Sequence, residues 1–171
     1  MVAMIGELVG LPTVEDPRMK RVLAAVCFLF LGAVVSRAAD QDDIIGPWLN
    51  EEHDAMIEVF KCGKTYCGRI AWSKAPSYPP GDKKGRAGQP RMDDNNPDQD
   101  LRNRPIIGLQ IMSGFTFDGN NGWAGGTLYD PKKGKTYRGK MTLVSPGELH
   151  LRGYVLFSFL GRTTTWTRPD H

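Results

Sequence analysis

The stretch KTYRGKMTLVSPGELHLRGYV, residues 135–155, decides the fold class. Tyr137, Gly139, Met141 and Leu143 alternate with Arg138, Lys140 and Thr142. After Ser145-Pro146-Gly147, Leu149, Leu151, Gly153 and Val155 alternate with His150, Arg152 and Tyr154. A period of two puts one set on a buried face and the other in solvent, and Pro-Gly supplies the turn between two strands. The stretch reads as an antiparallel hairpin.

The same signature repeats outward in both directions. Short β-rich runs bounded by turn residues predict strands over 46–50, 55–62, 67–73, 106–116, 122–129, 135–144, 148–157 and 162–168. Gly63-Lys64-Thr65, Asp118-Gly119-Asn120-Asn121-Gly122 and Asp130-Pro131-Lys132-Lys133-Gly134 are the other tight connections. After Trp48 no stretch keeps a 3.6-residue apolar period. Sequential hairpins place consecutive strands side by side. An eight-stranded meander left open would expose two edges, so closure into a small antiparallel barrel is expected, with an open sandwich as the alternative.

One long connection interrupts the rhythm, between the third and fourth strands. Residues 74–104 hold five prolines. They are basic in the first half (Lys83, Lys84, Arg86, Arg91) and acidic in the second (Asp93, Asp94, Asp98, Asp100). The reading is a mobile 75–92 followed by an ordered 93–105.

The 171 residues carry 22 basic and 19 acidic side chains, a net charge of +3. That is no concentrated basic face, so nucleic acid is not an expected partner. Near the start, Val22–Val35 is an unbroken apolar or small run preceded by Arg18, Lys20 and Arg21 and followed by Ser36-Arg37-Ala38. Basic, apolar and small-x-small segments in that order describe a signal peptide over 19–38 cut after Ala38. The run is short of the ~20 residues of a membrane span, so no span is expected after cleavage. Residues 1–18 are read as a start-site artefact upstream of Met19, or as an extended n-region. Residues 39–171 are expected to form a single exported barrel domain in a disulfide-permissive, periplasmic compartment. No oligomeric state can be read from the residues.

Cys62 and Cys67 then face each other across a hairpin. With Lys64-Thr65 as the two-residue loop, Gly63 opposes Tyr66 and the cysteines form the next, non-hydrogen-bonded pair, close enough for a disulfide. A redox-active pair is the alternative, although such pairs favour C-x-x-C at a helix start.

Several motifs together carry a resemblance. They are Asn96-Pro97-Asp98, Leu101-Arg102-x-Arg104-Pro105 and Gly108-Leu109; Trp123 through Pro131 with Gly134 and Tyr137; Leu151-Arg152-Gly153-Tyr154; and Gly161-Arg162-Thr163 with Trp166 and Arg168. In this order, over roughly 44–168, the chain resembles a secreted bacterial family catalogued as domain of unknown function 2147. The resemblance implies a lipocalin-like barrel in a Gram-negative-type envelope and no established activity. Gly46-Pro47-Trp48 is a weaker echo of the same architecture, in which the Trp plugs the barrel floor against an Arg from the last strand, here Arg168.

The chemical inventory is thin. His53, His150 and His171 are scattered, no Ser sits in a nucleophile elbow, and no metal-ligand spacing occurs. The run from Asp94 to Asp100 imitates a calcium loop but has Gln99 where Gly belongs and Pro105 where the bidentate Glu belongs. No catalytic residue, metal or cofactor is therefore expected. The expected function is binding of a small, partly apolar and potentially anionic ligand. The ligand-site candidates are Asn96, Asp98, Arg102, Arg104, Trp123, Tyr129, Asp130, Tyr137, Arg152, Tyr154, Arg162 and Trp166. The four arginines either converge on an anion or brace the loop by pairing with Asp98, Asp100 and Asp130. Two alternatives stand: an envelope interaction protein using the basic 75–92 loop, and a hydrolase acting through 93–104.

Overall fold

The computed structural model describes residues 39–169. The signal peptide expected over 19–38 and the upstream segment 1–18 lie outside the described residues. Eight antiparallel strands follow in chain order: β1 Gly46–Leu49, β2 Ala55–Cys62, β3 Thr65–Ser73, β4 Gln110–Phe117, β5 Gly122–Asp130, β6 Lys135–Ser145, β7 Glu148–Tyr154 and β8 Arg162–Thr167. Each pairs with its sequence neighbour, and Leu49 opposite Thr167 joins β1 to β8, so the sheet closes into a barrel. Closure removes both edges, which is why the open sandwich is not adopted.

In a meander the connections alternate between two ends. The short turns β2–β3, β4–β5 and β6–β7 lie at one end. The β1–β2, β3–β4, β5–β6 and β7–β8 connections lie at the other. The first end is filled. Trp48, Trp123, Phe115, Met112, Met141 and Leu149 are fully or almost fully buried there and in the middle of the barrel. The Phe115 ring needs two glycines. A Cβ on Gly126 or on its cross-strand partner Gly139 would stand 2.3 or 2.7 Å from ring atoms, so these positions let the ring lie flat on the backbone.

Three strand boundaries differ from expectation. The run at 106–116 starts pairing as a strand only at Gln110, because Ile106–Leu109 forms a turn closed by Leu109 N–H to the Ile106 carbonyl (3.2 Å). β7 stops at Tyr154, not 157. The chain then leaves the sheet through a short 3-10 turn, Ser158–Leu160. Val155 therefore does not join Leu149 and Leu151 on the inner face and is 66% exposed.

The third difference is at the cysteines. The two-residue loop is Gly63-Lys64, so Cys62 opposes Thr65 and Cys67 opposes Phe60. Gly63 has φ +65°, which glycine adopts freely at the first position of such a turn. The Cys62–Cys67 disulfide is present (S–S 1.98 Å, Cα–Cα 5.9 Å), but it runs diagonally on the outer face and does not link a directly opposed pair.

Candidate ligand-binding site

The closed end is built around Trp48. Its indole donates to the Ile44 carbonyl (2.8 Å), and the Arg168 guanidinium lies 3.9 Å from the ring centroid. Arg168 also donates to the carbonyls of Pro47 (3.1 Å) and Asp43 (2.8 Å). Gly46 has φ +110°, and a Cβ there would sit 2.9 Å from the guanidinium, so Gly46, Trp48 and Arg168 form one packed unit. Trp123 belongs to this end as well. It donates to the Gln41 carbonyl (3.1 Å) and packs on Phe117 and Tyr66.

The other end is not filled. A cavity of about 560 Å³ opens among the β1–β2, β5–β6 and β7–β8 connections. Its apolar wall comes from the inner faces: Ile57, Ile70, Leu128, Leu151 and Trp166. Tyr129, Tyr137, Tyr154, Asp130 and Arg162 add polar groups toward the mouth, with Lys132 and Lys133. Six of the expected ligand residues are thus brought together. Trp123 is not among them. It opens β5 whereas Tyr129 is near its end, and six residues of strand span about 20 Å.

The arginines do not converge. Arg102 donates to the Asn96 carbonyl (2.7 Å). Arg104 pairs with Asp93 (3.0 Å) and Arg162 with Glu51 (3.2 Å). Arg152 stands on the outer face, opposite Lys140, and donates to the carbonyls of Ser158 and Phe159 and to the Thr163 hydroxyl (2.8 Å). They brace connections, as the second sequence reading had it, but through Asp93, Glu51 and backbone carbonyls. Asp98 caps the 3-10 turn Gln99–Leu101 by accepting from Asp100 N–H (3.0 Å), and Asp130 turns back on Lys132 N–H (3.0 Å) and Lys133 (3.4 Å).

Sequence reasoning missed the residue that organises the 93–105 loop. Asp93 is fully buried. It accepts from the Tyr129 hydroxyl (2.6 Å), the Asn96 amide (2.8 Å) and Arg104 (3.0 Å). Burial first, then the bond to Asp93, pushes the Tyr129 hydroxyl up to about 12. Asn95 ties the same loop to the carbonyls of Pro131 and Lys132 in the β5–β6 turn. The only local hint was the Asp93–Asn96 spacing, where Asn96 N–H returns to the Asp93 carbonyl as in a tight turn.

The basic half, expected to be mobile, is tied down too. Tyr78 is buried, with Arg86 stacked 3.7 Å from its ring centroid, and both bond to Asp94. Asp82 accepts from the N–H groups of Lys84 and Arg86. Among the described residues, no three His, Cys, Asp or Glu side chains stand together as a metal site.

A pH dependence follows. The Arg86 bond holds Asp94 below the ordinary carboxylate value of 3.8, the Asn50 amide and then Lys132 do the same for Asp54, and the Arg86 N–H for Asp82. A lowered folded pKa gives stability that is present above the ordinary value and lost as pH falls through the folded one. Tyr129 is raised, so its contribution is complete below pH 10 and lost from there toward 12. Thermal melts should therefore be flat from about pH 5 to 9 and fall on both sides. A melting temperature that rises on acidification below pH 4 would contradict these assignments.

Similarity to known proteins agrees with this architecture. Residues 46–168 match the family model described as "Uncharacterized protein conserved in bacteria (DUF2147)". The chain belongs to this family. Among solved structures, the chain is similar to "Protein HP1028 from the human pathogen Helicobacter pylori belongs to the lipocalin family", with a TM-score of 0.63 and 23% identity over 74% of this chain and 83% of that one. At that identity the likeness shows a shared lipocalin-like fold. No curated protein matches the chain.

Proposed function

We propose that this DUF2147 barrel is an exported binding protein that holds one small, partly apolar molecule in the open end of the barrel. The observation that carries the proposal is the cavity, which falls within the ~300–1,000 Å³ usual for small-molecule sites and combines an aliphatic wall with a few polar groups at the rim. Lys132, Lys133 and Arg162 at that rim are paired with Asp54, Asp130 and Glu51, so the rim is balanced in charge and favours a ligand with a polar head and an apolar body. Export rests on the basic, apolar and small-residue segments of 19–38.

Native mass spectrometry of the protein purified from its own envelope is the experiment. A retained organic molecule, released on denaturation, is expected. A bare polypeptide mass that gains nothing from envelope extracts would overturn the proposal.

The bracing arginines give a second expected result. Arg102→Ala and Arg152→Ala should each lower the melting temperature, by the equivalent of about 1–2 kcal/mol, and leave ligand affinity unchanged, because their donors end on carbonyls and not in the cavity. Loss of affinity without loss of stability would place them on the ligand instead.

A further inference from the structure

Among the described residues, the β7–β8 connection is where exposed large apolar side chains are consecutive. Val155, Leu156, Phe157, Phe159 and Leu160 are 58–73% exposed. Phe157 and Phe159 stack on each other (centroids 5.5 Å, planes 13° apart) and not on the barrel. The backbone beneath them is satisfied, because Arg152 takes the carbonyls of Ser158 and Phe159. The arrangement is a held platform: Val155 and Leu160 border the cavity mouth, whereas Leu156, Phe157 and Phe159 stand clear of it. An exposed contiguous apolar patch of this kind marks a surface that something covers.

The charge around it says what. From Pro131 to Pro169 the chain carries eight Lys or Arg and a single carboxylate, Glu148. Glu148 lies at the far, closed end of the barrel and is paired with His150 (2.8 Å). Near the platform, Lys132, Lys133 and Arg162 are paired with Asp54, Asp130 and Glu51, which leaves Lys135, the outward Arg138 and Lys140, and Arg152 as the positive face. We infer that the β7–β8 platform docks on an anionic lipid surface, with its aromatic and aliphatic side chains in the headgroup–acyl boundary and the β6–β8 cations over the lipid phosphates. Apolar insertion and attraction to anionic headgroups reinforce each other at such a surface. The platform lies at the same end of the barrel as the cavity mouth, so the two face the bilayer together. Phe157 and Phe159 do not line the cavity, so docking stands independently of ligand binding.

The test is co-sedimentation of the full chain with vesicles of equal parts phosphatidylglycerol and phosphatidylcholine, against vesicles of phosphatidylcholine alone. The parent is compared with Phe157→Ser/Phe159→Ser and with Lys135→Gln/Lys140→Gln. All carry the same N-terminal segment, so differences report the barrel. The parent should partition to the anionic vesicles, less so in high salt. The Phe pair should weaken that partition at least about tenfold and the Lys pair by several-fold, with circular-dichroism melts unchanged. Equal partition of parent and Phe variant overturns the inference, as does a parent that stays in the supernatant. A concentration-dependent dimer abolished by the Phe substitutions, with no vesicle binding, overturns it in favour of a second copy as the covering surface.

Discussion

Asp93→Ala should cost about 3 kcal/mol or more of folding stability, read as a lower urea midpoint. Asp93 is fully buried and is the shared acceptor of Tyr129, Asn96 and Arg104. Truncation leaves three donors without their acceptor and opens a hole where the carboxylate stood. Breaking a buried charged network on one side is among the largest single-residue penalties. Tyr129→Phe removes the hydroxyl's bond to Asp93 and the one it accepts from Asn96, and should cost less, about 1–2 kcal/mol. Because Tyr129 also lines the cavity, loosening the loop should weaken ligand binding as well. If Asp93→Ala unfolds within about 0.5 kcal/mol of the parent, the 93–105 loop is not organised by that carboxylate.

Trp48→Ala should be of similar size or larger, about 3–5 kcal/mol. The indole is fully buried, its N–H is bonded to Ile44, and its face carries Arg168. Removing it leaves a cavity at the closed end and strips the guanidinium of its stacking surface. Arg168→Met, which retains an apolar stem over the ring but loses the cation and its bonds to the Pro47 and Asp43 carbonyls, should cost less, about 2 kcal/mol, and the comparison separates packing of the indole from the polar contribution of the guanidinium. A Trp48→Ala loss below about 1 kcal/mol would mean that the floor is closed by the 39–45 segment alone.

The fold was legible because its strands announce themselves by alternation. The inner set Tyr137, Gly139, Met141, Leu143 and the outer set Arg138, Lys140, Thr142 are divided in the structure as the period of two demands. The same rule placed Arg152 outside, against its inclusion with the ligand residues, and the structure follows the rule. Boundaries failed where strand propensity outran pairing. Val155, Leu156 and Phe157 read as strand, but β8 starts at Arg162, and the return through Gly161 already packs on the Gly153 carbonyl. The cysteine hairpin shifted because the residue able to take positive φ, Gly63, decides which two residues form the turn.

The candidate site was legible only in part. Tyr129, Tyr137, Tyr154 and Trp166 were visible as an aromatic cluster on adjacent hairpins. Trp123 was grouped with them because sequence position does not say at which end of a strand a residue sits until the meander is counted out. Asp93 was invisible because its role depends on Tyr129, 36 positions away, and no local pattern encodes that contact. The aliphatic wall was present as ordinary inner-face residues, which look the same whether they are packed or line a cavity.

Ligand binding in the open end is tested most directly by filling it. Gly153 lies on the inner face and lines the cavity, and a Cβ there meets nothing closer than 3.6 Å, so Gly153→Leu adds bulk without forcing the backbone. Parent and variant are titrated with dansyl-labelled undecanoate and the fluorescence is followed to saturation. The parent should bind one probe per chain, and Gly153→Leu should bind at least about tenfold more weakly at unchanged melting temperature. A parent that shows no saturable binding, or a Gly153→Leu variant that binds as the parent does, would contradict a ligand site in the barrel.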